Sequence, residues 1–186
     1  IPLNIFGTTP DHDFSAEKNL IPQRLKQGDT IGIISPASAI FETEPYEIAQ
    51  ETFEAMGLKV KFGKFTKSRY GHLAGTDEER AEELNDMFRD DSVNAIIALR
   101  GGAGAARILN KLDYIAIKRK PKIFIGYSDI TALHLAIYQK TGLVTFHGPV
   151  AVSTWNTFSY SYLKKLLFEG EAVLYQNPSD KGSELV

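Results

Sequence analysis

The chain has 186 residues, 43% of them hydrophobic, with 21 basic and 23 acidic side chains and no cysteine. The lack of cysteine excludes disulfides, thiolate zinc sites and a cysteine nucleophile, though it leaves the compartment open. The balanced charge, free of basic blocks, gives no footprint for nucleic acid, and no apolar run approaches the roughly 20 residues of a membrane span.

Residues 1–24 (IPLNIFGTTPDHDFSAEKNLIPQR) lack any period and read as an extension ahead of a domain. They begin with Ile rather than Met, the kind of start that a removed export signal leaves. TIGIISPAS, residues 30–38, is an apolar β-branched run ended by Pro36 and predicts a buried strand. EPYEIAQETFEAMG follows with Ile48, Phe53 and Met56 near helical spacing and Gly57 as the stop. KVKFGKF alternates and predicts a second strand over 59–65, and TKSRYGHLAG is a loop. Thr76 and Glu79 then form a capping box that opens the helix DEERAEELNDMFRD. Its acids crowd the positive end of the helix, so the segment reads as a solvated face without a paired acid–base role. NAIIALRGG predicts a third strand over 94–100, and AARILNKL a helix. KIFIGYS predicts a fourth strand over 122–127, DITALHLAIYQKTG a helix closed by Gly142, and VTFHGP a fifth strand over 144–148. Beyond Pro149, SYLKKLLF reads as a short helix and AVLYQNP is compatible with a strand. SDKGSELV carries no packing motif, and the chain looks cut rather than finished.

Strands alternating with helices imply an α/β domain over 25–165, followed by a linker over 166–186. Continuous apolar strands need cover on both faces, which predicts a doubly wound, mainly parallel sheet of the Rossmann or flavodoxin type. Ligands of such sheets sit beyond the carboxyl ends of the strands. Three of those ends carry the loops SPAS, RGGAG and GYSD, which are therefore expected to converge.

Ser128 has two readings. G-Y-S-D-I resembles a nucleophile elbow, where strand and helix meet sharply and the serine oxygen stands above the sheet. The match is partial, since Ile130 stands where that pattern has glycine. Serine is also a favoured helix N-cap, worth about 1 kcal/mol. Arg100-Gly101-Gly102-Ala103-Gly104 fails as a dinucleotide fingerprint because Arg107 occupies its last position. An oxyanion hole or peptide-binding edge suits it better, and a tight turn needing positive φ is the plain alternative. Of the four histidines, His12, His72 and His134 read as surface or core residues, and His147 at a strand end is the candidate base near Ser128. They are too scattered for a metal site.

In combination, these segments resemble the LD-carboxypeptidase family of serine peptidases. GDTIGIISPAS, GHLAGTDEERAEELN, AIIALRGGAG, the arginine of AAR, LDY, PKIFIGYSDITALH and TFHGP carry the likeness from about Leu25 to Pro149. The resemblance implies a domain bearing the nucleophile and a second domain supplying a glutamate and a histidine. It implies release of a terminal D-amino acid, typically D-Ala, from murein tetrapeptide in cell-wall recycling. Ser128 is then the nucleophile, the amides of Asp129 and of Gly101 or Gly102 form the oxyanion hole, and Arg100 and Ala103 line the substrate site. No metal or organic cofactor is implied, and the partner is a small peptide, with a homodimer left open. Ala103 departs from the aromatic residue usual in the family's glycine turn. Nothing in this chain matches the family's catalytic Glu and His, so alone it is expected to be nearly inactive. Related readings are a peptidase acting on a peptidyl-nucleotide antibiotic and a truncated domain that binds muropeptides. The family implies a cytoplasmic enzyme, whereas the polar N-terminal arm suits an exported one.

Overall fold

The structure, a computed structural model, describes residues 19–176. His12, most of the extension and the terminal SDKGSELV lie outside them. Five strands form one sheet: β1 (Thr30–Ile34), β2 (Lys59–Phe62), β3 (Ala95–Ala98), β4 (Ile123–Gly126) and β5 (Phe146–His147). Their order is β2-β1-β3-β4-β5, and every pairing is parallel. This is the flavodoxin-like order, which reverses direction between β1 and β3. The predicted doubly wound sheet is present, and all of its strands are parallel.

The sequence accounts for these positions. TIGII, AIIA and IFIG are almost wholly buried, as strands covered on both faces must be. KVKF alternates between exposed and half-buried residues and takes an edge. Helices α1 (Glu44–Ala55) and α5 (Thr157–Leu163) cover one face, where Phe53 and Leu163 pack on Ile31, Ile33, Ile97 and Ile125. Helices α2 (Asp77–Arg89), α3 (Tyr114–Arg119) and α4 (Thr131–Thr141) cover the other, through Leu84, Phe88, Ile117 and Leu133 against Ile96 and Phe124. Successive residues of β3 feed opposite cores because side chains alternate across a strand.

Several expectations need adjustment. β2 ends at Phe62 rather than at residue 65, and the next residue, Gly63, packs against the Glu83 side chain, where a Cβ would lie 2.3 Å from Oε1. AARILNKL forms a 3-10 helix over Ala105–Lys111. Helix α3 was not anticipated; its signal is Asp113, whose side chain accepts from the Ala116 amide at 2.9 Å. Ile48 is 53% exposed, and Tyr46, Ala49 and Phe53 carry the buried face of α1, with Met56 buried just beyond its end. The last helix starts at Thr157 and continues as a π-helical turn over Lys164–Glu169 that buries Leu167. Residues 171–176 form no strand.

Candidate active site

β4 ends at Gly126, packed so closely on the following turn that a Cβ there would lie 2.7 Å from Ile130 Cγ2. The chain reverses through Tyr127 into a 3-10 turn, Ser128–Ile130, and then enters α4. Ser128 has φ 64°, the only positive value at a non-glycine among the described residues. A left-handed serine costs on the order of 1–2 kcal/mol and persists only where its surroundings enforce it. Here, the Gly126 carbonyl accepts from the Gly148 amide at 3.1 Å and from His134 Nε2 at 2.8 Å. The Asp129 carboxylate accepts from the Ala105 amide at 2.8 Å. Ser128 itself is exposed, and its hydroxyl makes no hydrogen bond among the described residues. The N-cap alternative fails: neither the 3-10 turn nor α4 has a side-chain capping bond.

The RGGAG turn lies against this elbow. A Cβ on Gly101 would be 3.0 Å from Ser128 Cβ, so the close approach needs glycine. Gly102 and Gly104 have φ 117° and 112°, a conformation that side chains resist. The turn is tied down at Ala103 N, which donates to Ser38 Oγ at 3.0 Å, and at Gly104 O, which accepts from Arg80 Nη1 at 2.8 Å. The amides of Gly102 and Asp129 have no acceptor among the described residues. Arg100 donates to the Ala39 carbonyl at 3.3 Å and borders a cavity of about 360 Å³ with Glu42, Ile48 and Val152. Ala103 is exposed beside it in sequence. SPAS, RGGAG and GYSD therefore meet at one edge of the sheet, at and beside the switch between β1 and β3.

The histidines divide. His134 is buried, and its Nε2–H is committed to the Gly126 carbonyl while Nδ1 has no partner among the described residues. Burial pushes its pKa below the usual histidine value, the Gly126 bond opposes this, and nearby His147 adds to it. It is a neutral strut beneath the elbow. His147 is exposed, with its ring 6.4 Å from that of Tyr127 and 6.1 Å from that of His134. No hydrogen bond joins it to Ser128, and His72 is exposed.

The reading of α2 as a solvated face is incomplete. Arg80 is fully buried and its Nη1 binds both the Pro36 carbonyl, at 2.7 Å, and the Gly104 carbonyl. Its Nη2 pairs with Asp77, which also binds Arg107, and its buried Nε has no partner among the described residues. Glu83 is buried too and accepts from Ser35 N at 2.9 Å, Phe65 N at 2.7 Å and Thr66 Oγ1 at 2.9 Å. Burial raises the Glu83 pKa despite these bonds. A signal existed: Ala81, Leu84, Met87 and Phe88 form an apolar stripe that Arg80 and Glu83 flank.

An exposed serine with a left-handed backbone thus stands on a strand–helix elbow of an α/β sheet, beside backbone amides without acceptors among the described residues. Residues 31–148 match the model of the LD-carboxypeptidase N-terminal domain, and the chain belongs to that family. It is 50% identical over 132 residues to a probable murein peptide carboxypeptidase of Bacillus subtilis, covering 71% of this chain and 41% of that protein. It is 34% identical over 164 residues to the microcin C7 self-immunity protein MccF of Escherichia coli, covering 84% of this chain and 48% of that one. The solved structure of MccF in complex with aspartyl sulfamoyl adenosine superposes with a TM-score of 0.79 at 32% identity, over 89% of this chain and 54% of that one. The chain thus spans about half the length of these relatives.

Proposed function

We propose that this chain carries the nucleophile of a serine carboxypeptidase that releases a terminal D-amino acid from murein peptides. The observation that carries the reading is Ser128: strained, exposed, with a hydroxyl that makes no hydrogen bond among the described residues, and pressed against a turn whose Gly102 amide has no acceptor among them. Its oxygen attacks the amide carbonyl, and the Asp129 amide with that of Gly102 or Gly101 receives the oxyanion. The carbon–nitrogen bond then breaks, the D-amino acid leaves, and water releases the acyl group. Arg100, which pairs with no carboxylate among the described residues, is the cation offered to the substrate's terminal carboxylate. Exposed Ala103 leaves that side of the site without an aromatic wall.

A serine near pH 7 needs a base. No histidine or carboxylate among the described residues bonds Ser128, and in this reading the base is the His–Glu pair that the family resemblance implies. Without a base, serine peptidases lose about 10⁶-fold in turnover, which makes this segment by itself nearly inert. Ser128→Ala in the full gene product should abolish release of D-Ala from a tetrapeptide, measured by amino-acid analysis. Retention of most activity overturns the assignment. The similarity to MccF favours a second substrate class, a peptidyl nucleotide, and parallel assays of both substrates separate the two.

A further inference from the structure

We propose that Ser38 is a positioning residue for the oxyanion hole, an inference that rests on the reading of Ser128 as nucleophile. The RGGAG turn contains two left-handed glycines and has little intrinsic rigidity. Its geometry comes from bonds to its neighbours, and Ser38 supplies those nearest the site. Ser38 Oγ accepts from the Ala103 amide at 3.0 Å, and the Ser38 amide faces the Gly101 carbonyl at 3.4 Å. The two bonds bracket Gly102. A Cβ on Gly102 would lie 2.2 Å from Ser38 Oγ, so the hydroxyl seats directly against that residue's Cα. The Gly101 carbonyl and the Ala103 amide are thereby engaged, while the Gly102 amide between them keeps no acceptor among the described residues.

Ser38 can act as a fixed post because its own segment is clamped. It bridges Leu73 in antiparallel fashion, Ala39 N donates to the His72 carbonyl at 2.9 Å, and Ala74 N donates to the Ala37 carbonyl at 3.0 Å. Beneath it, Arg80 ties the Pro36 carbonyl to the Gly104 carbonyl, holding the same two loops at their far ends. Ser38 therefore transmits the rigidity of the β1 loop to the turn after β3. Oxyanion donors act through preorganisation, so the loss of this post weakens transition-state binding more than substrate binding.

The experiment compares Ser38→Ala with the parent in the full gene product, using tetrapeptide turnover and reaction with a fluorophosphonate. In the latter, the Ser128 oxygen forms a P–O bond as the P–F bond breaks; fluoride leaves with the electron pair and the hydroxyl proton passes to solvent. The remaining phosphoryl oxygen probes the oxyanion hole. Rates are expressed per titrated site, so any loss of folded protein is removed from the comparison. The expected result is a kcat and a phosphonylation rate each about 10- to 100-fold lower, with KM within about twofold. Rates per site within about twofold of the parent overturn the inference, as does a loss confined to KM. A parent unlabelled at Ser128 overturns the nucleophile reading, and this inference with it.

Discussion

Ser128 holds a backbone conformation that its side chain opposes, and its hydroxyl makes no hydrogen bond among the described residues to offset the cost. Glycine adopts φ 64° without that penalty. Ser128→Gly is therefore expected to unfold at higher urea than Ser128→Ala, by about 1 kcal/mol, with both variants inactive. Equal midpoints would remove the argument from strain. Gly102→Ala tests the neighbouring turn: its new methyl would overlap Ser38 Oγ, and φ 117° disfavours any side chain. We expect kcat per folded molecule to fall at least 10-fold and stability to drop by about 1–3 kcal/mol, read from initial rates and thermal unfolding. His134 makes stability depend on pH. Its folded pKa lies below the ordinary 6.5, so as pH falls through that value the unfolded chain takes up a proton that the folded chain refuses. Stability on this account is intact above about pH 7 and declines toward pH 5. His134→Gln should flatten that slope in urea titrations, whatever its effect at neutral pH.

Helix α2 does two jobs. Its apolar stripe covers the sheet, while Arg80 and Glu83 hold the loops after β1 and β3 and the segment following β2. Removing either leaves buried polar backbone groups without partners, which cost about 1–3 kcal/mol each. Arg80→Met, which keeps much of the volume, should destabilise by at least about 2 kcal/mol in urea unfolding and slow turnover as well. A stability loss with unchanged rates would mean that the guanidinium supports the fold alone. The capping box of this helix could be read from Thr76 and Glu79, and the structure has both of its bonds, at 3.2 and 2.7 Å. The burial of Arg80 could not be read in that way. A charged side chain on an acidic helix looks solvated until the loops of Pro36 and Gly104 are known to close over it.

For the molecule as a whole, the sheet sets a gradient of stability. β1, β3 and β4 are buried on both faces, whereas β2 and the two-residue β5 form the edges. Amide hydrogen exchange should be slowest in the three central strands and faster in both edges; uniform protection would contradict this. That stable centre gives the elbow a rigid base, since the end of β4 is held by β5 through Gly148 and by α4 through His134. Much of this was legible in the residues. Apolar runs without alternation demanded a two-sided parallel sheet, and the order of the elements put SPAS, RGGAG and GYSD at the same edge. Glycines after a strand and a serine before a helix marked where chemistry could occur. Those properties are local, carried by side-chain period, backbone freedom and turn composition. The left-handed turn without a capping bond at Ser128, the burial of His134, and the bonds made by Ser38 and Arg80 depended on contacts between residues far apart in the chain. Only the folded structure could decide them, because a hydrogen bond across 65 positions, as between Ser38 and Ala103, leaves no periodic trace in the sequence.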